Sequence, residues 1–213
     1  MNCIILFSAP AAGKGTISEY IKKNYNIEHV SASNVLRSGL VSHPEYEDEI
    51  NYALNNGTFV DDDILFELLK NKISGLKKDY IIEGTPRTID QATRYESLLN
   101  ELGINLSKVI YVNVDKEIAE DRILNRLTCY KCGSVYNKKV DNISNNKCNA
   151  CNSELSKRKD DNLEVYSARY NTFIEKTKPL IDYYDKKGLL YVVNNNSDIN
   201  DAYNQIDNIL GRW

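Results

Sequence analysis

A short segment of small residues with one lysine follows the first apolar run of the chain. It reads Ser8-Ala9-Pro10-Ala11-Ala12-Gly13-Lys14-Gly15-Thr16 and leads into a helical pattern. Between a strand and a helix, such a loop points backbone N–H groups and the positive end of the helix dipole at one spot, and Lys14 adds a cation for a polyphosphate. The Thr16 hydroxyl is expected to reach a metal ion bound to that phosphate. Ser8 replaces the first glycine of the strict pattern Gly-x-x-x-x-Gly-Lys-Ser/Thr and Gly15 displaces the hydroxyl residue, so a chance turn of this composition is the alternative.

Four of the five cysteines form two Cys-x-x-Cys pairs that are separated by fifteen residues. They are Cys129, Cys132, Cys148 and Cys151. Each pair can direct two thiolates at one point, so the two pairs predict a tetrahedral zinc ion, which is structural because no coordination position stays open. Two disulfides or inert thiols are the alternative. Cys3, inside the first apolar run, is expected to be a core residue.

The composition limits the classes of protein to which this chemistry can belong. With 27 Lys and Arg against 30 Asp and Glu, the 213 residues carry a formal net charge of −3, so no general basic field is available for a nucleic acid or an anionic membrane. The apolar runs are too short for a membrane-spanning helix, and no basic residue precedes the first one as in a secretory signal. We therefore expect a cytoplasmic protein. His29 and His43 lie near no nucleophile or metal pattern and are expected to have no chemical role.

Short apolar runs alternate with helical patterns along the chain. Strands are predicted at residues 2–7, 27–30, 80–82, 108–114 and 189–193. Helices are predicted at residues 16–23, at three places within 31–76 separated by Pro44 and Gly57, and at 88–102, 116–127, 161–187 and 202–210. This alternation indicates an α/β fold with a parallel sheet covered on both faces. Residues 128–157 contain few large aliphatic residues, so they are interpreted as an insert rather than as core.

Six groups of residues, taken together, resemble the adenylate kinases of the nucleoside monophosphate kinase family. They are Ala11-Ala12-Gly13-Lys14-Gly15-Thr16, Leu36-Arg37, Gly84-Thr85-Pro86-Arg87-Thr88 with Gln91, Asp121-Arg122 with Arg126, Arg158-Lys159-Asp160-Asp161, and Arg169. They occur in the order and at the spacing of that family and cover essentially the whole chain. The resemblance implies a P-loop kinase fold with a five-stranded parallel sheet. The cysteine insert resembles the zinc-ribbon-like lid of those bacterial members that carry a structural zinc.

The resemblance also implies a role for individual side chains in phosphoryl transfer, where positioning and charge neutralisation dominate. Catalytic roles are implied for Lys14, Arg126, Arg158 and Arg169. The donor nucleotide is implied to bind at Ala11, Ala12, Gly13, Lys14, Gly15, Thr16, Arg122 and Arg126. The acceptor is implied to bind at Ala32, Arg37, Gly84, Arg87, Gln91, Arg158 and Arg169. Glu83 and Thr16 are implied to hold magnesium through water, and Asp160 and Asp161 to serve lid closure. The chain has 19 Lys but only 8 Arg, of which six fall at these positions.

Several residues depart from the family pattern. Ser8 and Ala11 stand where the family has glycine, so a Cβ there is expected to crowd the loop or to oppose a positive φ. Glu83 replaces an aspartate with a side chain one methylene longer. Leu127 replaces the second arginine at the lid hinge. Ala32 replaces a threonine near the acceptor base, as in the uridylate and cytidylate kinases. Together these changes predict a divergent enzyme with slow turnover or an altered choice of acceptor.

We therefore expect reversible phosphoryl transfer from Mg-ATP to AMP, giving two ADP, with Mg²⁺ and a structural Zn²⁺. The amide of Gln91 offers both a donor and an acceptor and favours adenine in the acceptor. A kinase for CMP, UMP or several monophosphates and a catalytically impaired nucleotide-binding module are the alternatives. The expected partners are ATP and AMP, without nucleic acid or membrane, and the expected state is a monomer. The resemblance implies a core at 1–30, 61–127 and 161–213, a monophosphate-binding segment at 31–60 and a lid at 128–160.

Overall fold

The structure, a computed structural model, describes residues 1–56, 58–158 and 160–211. The predicted helix break at Gly57 and the motif position Lys159 lie outside the described residues. Within those ranges, no helix combines the length and the apolar character needed to cross a membrane.

Five parallel strands form the central sheet, as the sequence predicts. The strands of the chain are β1 (Asn2–Ser8), β2 (Glu28–Ser31), β3 (Tyr80–Glu83), β4 (Asn105–Asn113), β5 (Arg126–Thr128), β6 (Val135–Asn137) and β7 (Leu190–Asn194). The order in the sheet is β2-β3-β1-β4-β7. Because β1 is central and Leu6 pairs with Glu83 of β3, the loop after β1 and the carboxylate that ends β3 lie side by side at the carboxyl edge of the sheet.

Helices cover both faces of this sheet. They are α1 (Lys14–Asn24), α2 (Ala32–Ser42), α3 (Glu47–Asn56), α4 (Asp62–Ser74), α5 (Ile89–Glu101), α6 (Lys116–Leu124), α7 (Leu163–Thr172), α8 (Pro179–Lys186) and α9 (Ile199–Leu210). Alternate residues of β1 belong to two different clusters of buried side chains, with Cys3 and Ile5 in one and Ile4 and Leu6 in the other. The run is continuously apolar because successive side chains of a strand point to opposite faces and both faces are buried here. Cys3 is a buried core residue, as expected.

Two predicted helices are shorter than their sequence patterns. The helix predicted at 161–187 is divided into α7, a π-helical turn (Phe173–Thr177) and α8. In the π turn the Lys178 N–H donates to the Phe173 carbonyl at 2.8 Å, five residues back, and Pro179 then begins α8 without an N–H to donate. The helix predicted at 116–127 ends at Leu124, because the chain leaves it to form β5.

The insert is a small irregular unit around the four cysteines. Strands β5 and β6 pair antiparallel, and single bridges join Thr128 to Ser156 and Lys147 to Glu154. Its buried hydrophobic side chains, among the described residues, are those of Cys129, Cys148 and Leu155. Since two of these three are thiols, the insert has almost no apolar core of its own.

Candidate active site and metal centre

The loop after β1 has the conformation of an anion-binding turn, with one residue under strain. Gly13 has φ +82° and ends the loop, and Lys14 begins α1. Ala11 also has a positive φ of 60°. The Cβ of Ala11 therefore does not prevent a positive φ, but a left-handed backbone costs a residue with a side chain about 1–2 kcal/mol. This strain lies at one of the two positions where a Cβ was expected to crowd the loop or oppose a positive φ.

Lys14 forms an ion pair with Glu83 at the end of β3. The Lys14 Nζ lies 3.1 Å from Glu83 Oε2, which also accepts a hydrogen bond of 2.8 Å from the Ser18 hydroxyl. His29 Nε2 lies 3.3 Å from the other carboxylate oxygen, Oε1. Burial alone would raise the pKa of Glu83, but His29, Lys14 and Ser18 together lower it to about 2. The carboxylate is thus ionised at neutral pH.

Four arginines converge where the insert joins the core. Burial and the positive charge of Arg169 lower the pKa of Arg87, and burial and the charge of Arg126 lower the pKa of Arg158. Arg87, Arg126, Arg158 and Arg169 are here called the arginine cluster. Like charges placed this close to one another need anions nearby.

Two aspartates partly neutralise the arginine cluster. Asp161 is fully buried and contacts Arg126 twice, from Nε to Oδ2 at 2.9 Å and from a terminal nitrogen to Oδ1. Asp160 Oδ2 lies 2.8 Å from a terminal nitrogen of Arg169. Arg158 instead donates through Nε to the Thr128 hydroxyl at 2.9 Å. The structure therefore brings Arg126, Arg158 and Arg169 together with the two aspartates assigned by resemblance to lid closure, while Lys14 pairs with Glu83 instead.

Arg87 is held by contacts that the sequence analysis did not identify. Its Nε donates to the Gly84 carbonyl at 2.8 Å, and its own carbonyl accepts a hydrogen bond of 3.0 Å from the hydroxyl of Thr177 in the π turn. The guanidinium carbon lies 5.2 Å from the centre of the Phe59 ring, and the ammonium of Lys176 lies 5.3 Å from the same ring. Phe59 is thus an aromatic neighbour of two cations.

The candidate acceptor-base residues Gln91 and Ala32 are buried near Arg87. The Gln91 Oε1 accepts from the Arg87 N–H at 2.8 Å, and its Nε2 donates to Asp62 at 2.7 Å. Both ends of the amide are therefore engaged. A Cβ on Gly84, which has φ +88°, would lie 3.2 Å from the Cβ of Ala32, so small residues meet here.

Four other candidates lie apart from these contacts. Arg37 is exposed on α2, with weak contacts to the Ser33 carbonyl at 3.4 Å and to Asn34 at 3.3 Å. Thr16 and Gly15 are exposed in the first turn of α1. Arg122, on α6, is partly buried, and one of its terminal nitrogens is buried without a hydrogen-bond partner among the described residues. Burial lowers the pKa of Arg122. An unpaired buried guanidinium nitrogen is a group that a ligand could satisfy.

The four cysteines of the insert form one cluster. All four sulfurs lie within 4.8 Å of one another, with Cys129 and Cys151 at 3.4 Å and Cys132 and Cys148 at 3.5 Å. These separations are well beyond a sulfur–sulfur bond of about 2.05 Å and close to those between thiolates that share a tetrahedral metal. The cysteines are free thiols in this structure, and they form a potential metal site.

Tyr136 contacts this potential metal site, although the cysteine spacing does not reveal it. Its hydroxyl lies 3.3 Å from Cys148 Sγ and accepts a hydrogen bond of 3.0 Å from the Asn149 N–H. With its oxygen occupied in this way, the hydroxyl is free to donate its proton to the sulfur. The Tyr136 hydroxyl and neighbouring backbone N–H groups lower the pKa of Cys148 to about 6, which favours the thiolate that binds metal.

Comparisons with known proteins identify the family of the chain. The model of the family described as Adenylate kinase matches residues 6–189. An adenylate kinase of Pelagibacter ubique (strain HTCC1062) is 38% identical over 210 residues, which cover 97% of this chain and 98% of that protein. An adenylate kinase of Desulforamulus reducens is 36% identical over 209 residues, which cover 97% of this chain and 98% of that protein. An adenylate kinase of Thermosipho africanus is 35% identical over 219 residues, which cover all of this chain and all of that protein. The chain therefore belongs to the adenylate kinase family of nucleoside monophosphate kinases.

Proposed function

We propose that the chain catalyses the reversible transfer of the γ-phosphoryl group of Mg-ATP to AMP, which yields two molecules of ADP. An oxygen of the AMP phosphate forms the new bond to phosphorus, and the bond from that phosphorus to the ADP leaving group breaks. The observation that carries the proposal is the arginine cluster, because a group that moves between two anionic nucleotides needs fixed cations around it.

The ion pairs of the site suggest how its side chains act. Donor phosphates would compete with Glu83 for Lys14, leaving the Glu83 carboxylate to hold water around magnesium together with Thr16. Bound with the donor, Mg²⁺ supplies positive charge at the phosphate oxygens. Asp160 and Asp161 keep Arg169 and Arg126 in place, so that a planar guanidinium is already oriented when phosphate arrives.

The remaining assignments of residues to the two nucleotides are part of the same proposal. The donor would contact the loop from Ala11 to Thr16 and the base-side arginine, Arg122. Arg37 and Arg87 would bind the acceptor phosphate, while Arg126, Arg158 and Arg169 contact the transferring group. We place the acceptor segment at 31–60 and the lid at 128–160, around a core made by the rest of the chain. We infer a cytoplasmic monomer whose partners are ATP and AMP, without nucleic acid or membrane.

We assign Zn²⁺ to the cluster of four cysteines. Four thiolates are a donor set typical of structural zinc, and their sulfur separations of 3.4–4.8 Å suit that ion without a change of fold. The zinc would supply folding energy to an insert that buries few apolar side chains.

AMP is the proposed acceptor, with weakened discrimination against other monophosphates. Gln91 can offer adenine a donor and an acceptor, because its Nε2 has a second N–H besides the one given to Asp62 and its Oε1 has a second lone pair besides the one that accepts from the Arg87 N–H. Ala32 offers no hydrogen bond, and losing one hydroxyl contact that water can replace costs only about 0.5–1.5 kcal/mol. That is too little to overturn a site shaped for a purine.

A panel of acceptors tests this assignment. ADP formation is measured in a coupled assay with ATP, magnesium and AMP, CMP, UMP or GMP, at equal concentrations. We expect the highest kcat/KM with AMP, and we expect Ala32→Thr to lower the KM for AMP. A higher kcat/KM with CMP or UMP would transfer the assignment to a pyrimidine kinase, and no activity with any acceptor would favour the nucleotide-binding module.

A further inference from the structure

A buried asparagine near the end of the chain contacts the phosphate loop. Asn195 follows β7 and is 2% exposed. Its Nδ2 donates a hydrogen bond of 2.8 Å to the carbonyl of Ala12, 183 residues earlier in the chain. Its backbone N–H donates to the Asn113 carbonyl at 2.9 Å, at the end of β4, which fixes the position of the side chain relative to the sheet. Asn195 also lies beyond residue 189, where the family match ends.

The orientation of this amide is determined by its partner. A carbonyl oxygen only accepts hydrogen bonds, so the NH₂ end of Asn195 must face Ala12, and the opposite orientation would place two oxygens together. The Oδ1 atom is consequently buried without a hydrogen-bond partner among the described residues. An unsatisfied buried oxygen lowers the stability of the fold. The contact between Asn195 and Ala12 carries this cost, so we looked for a function that it serves.

Gly13 leaves the space that this contact needs. A Cβ on Gly13 would lie 2.6 Å from the Asn195 Nδ2, closer than the two atoms can approach. Two features therefore favour glycine at position 13. Its φ is +82°, and the Asn195 amide occupies the space that a Cβ would need.

The contact sets the direction of one peptide of the loop. In a planar trans peptide the C=O and the N–H point in opposite directions. Because the Ala12 carbonyl points to the buried Asn195 amide, the N–H of Gly13, which belongs to the same peptide, points away from the interior. That N–H stands one residue before α1, where phosphates meet the helix dipole. Ala11, with its strained φ of 60°, precedes the same peptide.

We propose that Asn195 is a positioning residue of the donor site, which holds the Ala12–Gly13 peptide so that the Gly13 N–H is directed at the donor's phosphates. This inference rests on the proposed function only in assigning the loop to ATP. The alternative is a purely structural contact between the end of β7 and the loop. Such a contact would stabilise the fold without favouring the binding of ATP over that of AMP.

The test compares nucleotide binding by three variants, measured by titration calorimetry with ATP alone and with AMP alone. Asn195→Ala removes the donor, and Asn195→Asp keeps the shape but places an anionic acceptor against the Ala12 carbonyl. The matched control is Asn196→Ala, which removes an exposed neighbour whose Oδ1 accepts from the Asp115 N–H, away from the loop. Melting temperature is recorded for every variant, and binding is measured well below it.

We expect Asn195→Ala to raise the Kd for ATP by about fivefold to tenfold, as for loss of one positioned hydrogen bond, and to leave the Kd for AMP unchanged. Asn195→Asp should weaken ATP binding further because its charge repels phosphate. Asn196→Ala should match the wild type. Equal weakening of ATP and AMP, or a lower melting temperature with an unchanged ratio of the two Kd values, would overturn the proposal.

The binding readout separates this inference from the proposed function. If the wild type binds ATP but forms no ADP with any acceptor, the proposed function fails. The positioning role is then still decided by the ratio of the Kd values for ATP and AMP in the variants. Should Asn195→Ala not fold, the isosteric Asn195→Asp decides by the same ratio of Kd values.

Discussion

Arg126 and Asp161 form a doubly contacted ion pair in which the carboxylate side chain is 0% exposed and the guanidinium 18% exposed. They lie at opposite ends of the insert, 35 residues apart, so their contact joins its two ends. A buried charge whose partner is removed is left without compensation, and this typically costs about 3–5 kcal/mol. We expect Asp161→Asn to lower the free energy of unfolding by an amount of this order, measured by denaturant titration. A loss below about 1 kcal/mol, as for an exposed pair, would contradict the account.

Arg158 should affect turnover rather than acceptor binding. A cation on the transferring group is worth about 3 kcal/mol of transition-state stabilisation, or on the order of a hundredfold in rate. We expect Arg158→Ala to reduce kcat by about that factor with little change in the KM for AMP. Arg94→Ala is the matched control, because Arg94 pairs with an exposed aspartate, Asp63, on the outer side of α5. Wild-type turnover in Arg158→Ala would remove this residue from the catalytic set.

The sheet was predictable from the sequence and the breaks in its helices were not. Five apolar runs correspond to the five strands because a strand buried on both faces is apolar throughout. The π turn was missed because buried Tyr166, Phe173 and Leu180 recur every seven residues across it, so the apolar pattern of one long helix continues. The end of α6 was missed because β5 has only three residues.

The candidate site was predictable where it consists of local motifs. The phosphate loop, the arginine cluster and the four cysteines were named from spacing and family resemblance. Three further residues, Thr177, Phe59 and Asn195, act through side-chain contacts with residues far away in the sequence. Periodicity describes only near neighbours, so no pattern in the chain indicates such pairs. The one available signal was the run Asn194 to Asn196 at the end of the last strand, which was interpreted as a loop.

The ion pairs of Glu83 predict how stability depends on pH. The pKa of Glu83 is lowered from 4.5 to about 2 in the folded chain, so the unfolded chain binds the proton more readily. The stabilisation is therefore complete above about pH 4.5 and is lost as the pH falls towards 2, a total of about 3 kcal/mol as an upper estimate. In Glu83→Gln, the free energy of unfolding should vary less between these two pH values than in the wild type. Parallel profiles for the two proteins would show that Glu83 has no such shift.

The strain at Ala11 predicts a stabilising substitution. Ala11→Gly relieves the cost of a positive φ of 60° but adds freedom to the unfolded chain, so we expect stability to rise by 0 to about 1 kcal/mol. Ala12 is the matched control, since it is buried and is not among the residues with positive φ. Ala12→Gly should therefore lower stability by about 1 kcal/mol or more. Denaturant unfolding of both variants measures the difference, and equal losses would argue against strain at Ala11.

The ring of Phe59 should influence the affinity for the acceptor through Arg87. A cation over an aromatic ring at a partly exposed site contributes about 0.5–1 kcal/mol. Phe59→Leu removes the ring, and we expect the KM for AMP to rise about twofold to fivefold with kcat and the KM for ATP unchanged. Phe59→Tyr keeps the ring and should behave as the wild type. If Leu and Tyr at this position give the same KM, the ring is not what matters.

The metal centre gives a prediction that is independent of turnover. Protein purified without chelator should contain about one zinc per chain, and its removal should lower the melting temperature. Tyr136→Phe keeps the ring but removes the hydroxyl that contacts Cys148, and loss of such a supporting hydrogen bond typically weakens metal binding about tenfold to a hundredfold. Competition with a chromophoric chelator measures this affinity. Absence of metal from the purified chain, or equal affinities in the two proteins, would contradict this account of the centre.

Running the reaction backwards from a single substrate tests whether the chain transfers phosphate between two adenine nucleotides. The purified chain is incubated with ADP and magnesium alone, and the products are followed by phosphorus NMR. Because each transfer converts two ADP into one ATP and one AMP, the account predicts that ATP and AMP appear in equal amounts without release of inorganic phosphate. Persistence of ADP, or AMP accompanied by phosphate rather than by ATP, would contradict it.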